Sequence, residues 1–97
     1  MREKAIELKL VQAIKKAGGL AIKFTSPGLD GMPDRLVILP GGRMAFVEVK
    51  APGQKPRPLQ LLRHGGLRRL GCQVFVLDDA DQIPELMQKA MEGGDAT

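Results

Sequence analysis

The chain has no tryptophan, no tyrosine and a single cysteine, and only 3% of its residues are aromatic. One cysteine, Cys72, permits neither an intramolecular disulfide nor a cysteine-rich zinc site, so any metal must be held mainly by oxygen. Scarce rings leave little means of stacking on unpaired bases. No apolar run approaches the roughly 20 residues needed to cross a bilayer, and the N-terminus lacks the apolar segment of a secretory signal. The default expectation is a cytoplasmic protein with no membrane partner. Ninety-seven residues suit one domain over 1–97, near the lower size at which a core suffices without staples.

Acidic residues are also missing from one long interval. Between Glu48 and Asp78 there is none, whereas Lys50, Lys55, Arg57, Arg63, Arg68 and Arg69 fall inside it. The sign then reverses, with Asp78, Asp79, Asp81, Glu85, Glu92 and Asp95 against a lone Lys89. The net charge of +4 is therefore concentrated, and a polyanionic partner is the natural inference. The ordinary alternative is that these side chains solvate a loop and the outer face of a helix.

The hydrophobic pattern predicts a helix from about Arg2 to Ala17, with Ile6, Leu10, Ala13, Ile14 and Ala17 on its apolar face and Gly18-Gly19 as the stop. Strands follow at Leu20–Phe24, Leu36–Leu39 and Met44–Lys50, the last two joined by a Pro40-Gly41-Gly42 turn. A Pro- and Gly-rich crossover, Ala51–Pro58, leads to a second helix marked by Leu59, Leu62, Leu67 and Leu70 and ended by Gly71. Gly65-Gly66 suggests a bend or close packing within it. Cys72–Leu77 reads as a buried strand, and Asp81 as the cap of a last helix through Ile83, Leu86, Met87 and Met91. From Gly93 onward the chain is expected to fray. Cys72 and the methionines are read as core. The order αβββαβ plus a C-terminal helix gives an α/β fold, a small mixed sheet flanked by helices, with the crossover returning the fourth strand parallel to the third.

Polar residues then gather where a plain core would have none. Asp34 opens the second strand behind Gly31-Met32-Pro33, whose backbone is constrained by the proline and freed by the glycine. Glu48 and Lys50 close the third strand on one face, with Met44 and Phe46 before them. Glu7 lies at the edge of the buried face of the first helix, with Glu3 one turn further out, and Gln60 sits in the first turn of the second. Taken singly, each has an ordinary explanation: a snorkelling glutamate, a turn aspartate, charges on a solvated strand.

Together, Glu7, Gly31-Met32-Pro33-Asp34, Glu48-Val49-Lys50 and Gln60 resemble the VRR-NUC (virus-type replication-repair nuclease) domain of the PD-(D/E)XK nuclease superfamily, in its stand-alone phage or bacterial form. The resemblance spans nearly the whole chain and implies a restriction-endonuclease-like core. It implies that Asp34, Glu48 and the Val49 carbonyl bind Mg2+ or Mn2+, hard cations that take oxygen ligands and keep water. Lys50 would stabilise developing charge or position the nucleophile, Glu7 would act at the rim of the metal site, and Gln60 would align water, Lys50 or phosphate. Lys55, Arg57, Arg63 and Arg68 would contact DNA phosphates. His64 reads as a surface or phosphate contact rather than a base.

The resemblance further implies a homodimer acting on branched double-stranded DNA, a Holliday (four-way) junction resolvase of repair or recombination, without an organic cofactor. Two other readings are a flap- or duplex-directed nuclease of the same chemistry and a catalytically silent junction-binding module.

Overall fold

The computed structural model describes residues 1–93. Its elements are α1 (Glu3–Lys16), β1 (Leu20–Lys23), β2 (Arg35–Leu39), β3 (Arg43–Val49), α2 (Pro58–Arg69), β4 (Val74–Leu77), a 3-10 turn (Ala80–Gln82) and α3 (Ile83–Gly93). This is the expected order with ends shifted by a residue or two. Gly93 belongs to α3, and the rest of the segment expected to fray lies outside the described residues.

The four strands form one mixed sheet in the order β1-β2-β3-β4. β1, β2 and β3 are antiparallel neighbours, with Ile22 opposite Leu36 and Leu36 opposite Phe46. β4 lies parallel to β3, as a helical crossover requires, with Phe46 beside Val74 and Glu48 beside Val76. Strand alternation sorts β3 into two faces. Ala45, Val47 and Val49 join the buried cluster of Ile6, Leu10 and Ile14 from α1, Val37 and Leu39 from β2, Leu77 from β4, and Ile83, Leu86 and Ala90 from α3. The core is thus the layer between the sheet and the α1/α3 pair.

The opposite face carries Met44, Phe46 and Glu48, and here the leucine pattern misleads. Leu59, Leu61, Leu62 and Leu70 of the α2 region are all exposed, Leu70 by 83%, and the buried residues of α2 are Gln60 and His64. A helix buries what its neighbour asks for, and beneath α2 the sheet presents a carboxylate rather than a methyl group. His64, expected at the surface, is 0% exposed.

Three smaller expectations also change. Gly65 and Gly66 lie in an unbroken helix, and a Cβ at either would meet only the Arg69 guanidinium at 3.8 Å, so no close packing requires them. Asp79, not Asp81, caps the chain before α3, its side chain accepting from the Asp81 N–H at 2.9 Å. Met1, Met44 and Met91 are exposed rather than core, and Cys72 is half-buried.

Candidate active site

The loop before β2 sets the position of Asp34. Gly31 has φ +84°, and a Cβ there would come within 2.9 Å of Leu59 Cγ, so only glycine lets the loop lie against the start of α2. The Arg63 Nε donates to the Asp30 carbonyl at 2.7 Å and ties the same loop to the second turn of α2. Pro33 is buried, and the Asp34 carbonyl accepts from the Phe24 N–H at 2.8 Å. With its backbone fixed, Asp34 accepts through Oδ2 from the Val49 N–H at 2.8 Å, which brings the aspartate beside the Glu48-Val49-Lys50 segment.

Glu48 is 1% exposed. Its Oε2 accepts from Gln60 Nε2 at 3.0 Å, and its Oε1 lies 3.2 Å from His64 Nε2. Gln60 is itself oriented by the Arg57 N–H, which donates to its Oε1 at 2.8 Å. Lys50 Nζ stands 3.9 Å from Glu48 Oε2. Burial pushes the Glu48 pKa from 4.5 up to about 8. A hydrogen bond to Asp34 and the Asp34 charge add to the rise, Lys50 opposes it, and Glu3 adds a smaller push. The His64 pKa is lowered, first by burial and then by the positive charges of Arg68 and Lys50, with Asp34 opposing. The ring is neutral at pH 7, and its Nε2–H donates whenever Glu48 is ionised.

The two acids of α1 separate. Glu7 accepts from Arg35 Nε at 2.7 Å, and Arg35 also donates to the Ala21 carbonyl at 3.1 Å. Arg35 shares the face of its β3 partner Val47, opposite to that of Glu48, so Glu7 is engaged on the α1 side of the sheet. Glu3, one turn earlier, is the α1 acid whose charge bears on Glu48. Asp34, Glu48, Lys50 and Gln60 therefore come together, and Glu7 does not join them by any direct contact.

The basic residues divide in the same way. Arg63 is occupied by Asp30, and Arg68 Nη2 donates to the Val74 carbonyl at 2.8 Å, so both brace α2. Lys55 and Arg57 are exposed. Lys55 and Arg68 border an open recess of about 410 Å³ beside α2.

Among the described residues, no group of three or more His, Cys, Asp or Glu side chains is placed to hold a metal. The donors at hand are two carboxylates and the peptide groups next to them. That set suits a hard cation retaining much of its water, as Mg2+ does, and does not suit a dehydrated zinc site. A buried carboxylate whose pKa is raised by burial and by the neighbouring Asp34 charge is also a place where a divalent cation would relieve electrostatic repulsion. The residues present fit such an ion.

A mixed four-stranded sheet with a paired Asp and Glu at the end of its central hairpin, a lysine two residues after the Glu, and flanking helices is a restriction-endonuclease-like core. No family model matches the chain. It is 57% identical over 81 residues to the Putative nuclease p44 of Acyrthosiphon pisum secondary endosymbiont phage 1, a match covering 84% of this chain and 87% of that protein. A solved VRR-NUC domain superposes with a TM-score of 0.83 at 38% identity, over 89% of this chain and 94% of that one. The chain belongs to the VRR-NUC family of PD-(D/E)XK nucleases.

His64 is the neighbour of Glu48 that sequence reasoning placed at the surface instead. Its signal was its spacing: His64 lies four residues after Gln60 and so projects from the same helix face one turn on.

Proposed function

We propose that the protein is a divalent-metal-dependent endonuclease that hydrolyses phosphodiester bonds in branched double-stranded DNA, acting as a homodimer on four-way junctions. The observation that carries the chemistry is the facing pair Asp34 and Glu48, one held by the Val49 N–H and the other by Gln60, with Lys50 beside it. An acidic pair, Glu48 buried and Asp34 half-buried, in a chain of net charge +4 has no use in simply holding a polyanion.

Asp34, Glu48 and the Val49 carbonyl would hold Mg2+ or Mn2+. When bound, such an ion supplies an activated water and neutralises charge on the scissile phosphate. The Lys50 ammonium, 16% exposed at the rim, contributes a positive charge near the leaving and attacking oxygens. Gln60 fixes the Glu48 carboxylate, and its own amide is held by the Arg57 N–H. For the α1 acid, Glu3 is the one whose charge bears on Glu48, so we assign it the role at the rim of the site, with Glu7 engaged by Arg35. Lys55 and Arg57 meet phosphates directly, and Arg63 and Arg68 act mainly by bracing α2.

The dimer reading draws on α2 and on the sheet face beside it. Leu59, Leu62 and Leu70 form an exposed stripe, and Leu29, Leu62, Gly66 and Leu70 line a surface groove. Leu20, Ile22 and Met44 leave the α2 side of the sheet apolar as well. These surfaces, rather than α1 or α3, are where a second copy would bury most apolar area.

The test is cleavage of labelled four-way junction, flap, linear duplex and single strand in parallel, with Mg2+, Mn2+ or chelator, and sedimentation of the same sample. Metal-dependent cutting that favours the junction, by a species of twice the monomer mass, is the expected result. Preference for a flap or for linear duplex would revise the substrate. Tight junction binding without cutting under either metal would overturn the enzymatic reading.

A further inference from the structure

His64 is buried completely, yet only half of its polarity is used. Nε2 lies 3.2 Å from Glu48 Oε1, and Nδ1 is buried with no hydrogen-bond partner among the described residues. An unpaired buried ring nitrogen costs on the order of 1–3 kcal/mol in lost hydration, which an apolar side chain of similar volume would not incur. The imidazole therefore has no role in the packing of α2 that a leucine would fill less well. Its one specific contact is the Glu48 carboxylate.

Gln60 and His64 stand one helical turn apart, and each takes a different oxygen of that carboxylate. We propose that His64 is a positioning residue that, with Gln60, clamps Glu48 from two consecutive turns of α2 and so fixes the plane in which its remaining lone pairs meet a divalent cation. The inference rests on the metal-dependent reading given above. A carboxylate gripped at one oxygen can still pivot about that contact, whereas a grip at both removes the rotation. Two donors occupy about two of roughly four acceptor positions, leaving the others for the cation. Arg57 holds Gln60 by its backbone N–H, and Arg68 ties the far end of α2 to Val74, so the helix carrying the clamp is itself anchored.

The experiment titrates the full chain with Mn2+ alone, following free Mn2+ by electron paramagnetic resonance, and measures kcat and KM on a cleaved substrate. The variants are His64→Leu, His64→Met, His64→Gln and Asp34→Ala, each checked for a cooperative thermal transition. His64→Leu is expected to remain folded, to bind Mn2+ at least about tenfold more weakly, and to lose kcat with little change in KM. His64→Gln, whose Nε2 offers a donor in place of the ring N–H, is expected to recover most of both. If the leucine variant does not fold, His64→Met gives the same comparison. Mn2+ affinity within about twofold of the parent in the leucine or methionine variant, with affinity lost in Asp34→Ala, would overturn the clamp and leave the metal-dependent reading standing. Equal losses in the glutamine and leucine variants would overturn it too. If the parent chain neither takes up Mn2+ nor cuts DNA, the metal-dependent reading falls and the clamp with it.

Discussion

Gln60 Nε2 donates to Glu48 Oε2 at 3.0 Å, joining the first turn of α2 to the end of β3 across the connecting segment 50–57. The bond is buried and polar, where the leucines around Gln60 would have suggested an apolar contact. It makes α2 a support for a carboxylate and releases Leu59, Leu62 and Leu70 to the surface.

The buried carboxylate should make stability depend on pH. With the Glu48 pKa raised from 4.5 to about 8, the native state keeps its proton through a range in which the unfolded state has lost it. Below about pH 4.5 both states are protonated and Glu48 adds no slope. As pH rises from there toward 8 the native state binds more protons, so metal-free stability falls by on the order of 1 kcal/mol per unit, and above 8 it levels off. Glu48→Gln should remove this slope. Denaturant unfolding in chelator at pH 5, 6, 7 and 8 is expected to show the Gln variant gaining on the parent as pH rises, with no cleavage activity at any pH. Saturating Mn2+ should stabilise the parent more at pH 8 than at pH 6, because binding then displaces less proton.

The α1 acids should separate in function and stability. Glu7→Gln breaks the part-buried pair with Arg35 and is expected to cost about 1 kcal/mol of stability while keeping most activity. Glu3→Gln is expected to leave the melting temperature nearly unchanged and to lower the metal-saturated cleavage rate. Melting curves and single-turnover rates on the two variants check the pair. The reverse pattern would return the site role to Glu7.

Much of this could be read from the sequence, and the failures share one cause. The elements were legible because each has local punctuation: Gly18-Gly19 after α1, Pro40-Gly41-Gly42 in the hairpin, Gly71 after α2. The proximity of Asp34, Glu48 and Lys50 was legible because strand alternation and a short turn fix their relative places. What local pattern does not carry is the identity of the partner across the fold. Glu3 and Glu7 lie on one helical row, and only Arg35, 28 residues past Glu7, separates them. The leucines of α2 have helical spacing, but Glu48 on a distant strand decides that Gln60 and His64 face inward.

Gly31 and the α2 pair Gly65 and Gly66 should respond in opposite directions. Gly31→Ala forces a side chain into φ +84° and against Leu59, so it is expected to cost at least about 1–2 kcal/mol and to displace Asp34. Gly65→Ala and Gly66→Ala fill open space in α2 and are each expected to stabilise by about 0.5–1 kcal/mol. Chemical denaturation of the three single variants measures all of these.

The basic residues should divide by whether the fold already uses them. Lys55→Ala and Arg57→Ala are expected to weaken DNA binding and reduce its salt dependence without moving the melting temperature. Arg63→Ala and Arg68→Ala, which lose bonds to the Asp30 and Val74 carbonyls, are expected to lower the melting temperature by a few degrees as well. Binding titrations in chelator at several salt concentrations, beside melting curves, separate the two groups.

The most direct measurement is cleavage of a labelled four-way junction by the parent chain and by Asp34→Ala and Lys50→Ala, each shown to be folded, with Mg2+ and with chelator. Cutting by the parent in Mg2+, none in chelator and at least about a hundredfold loss in both variants is the predicted result. Undiminished cutting by either folded variant, or by the parent in chelator, would contradict the assignment of Asp34, Glu48 and Lys50 as the catalytic centre.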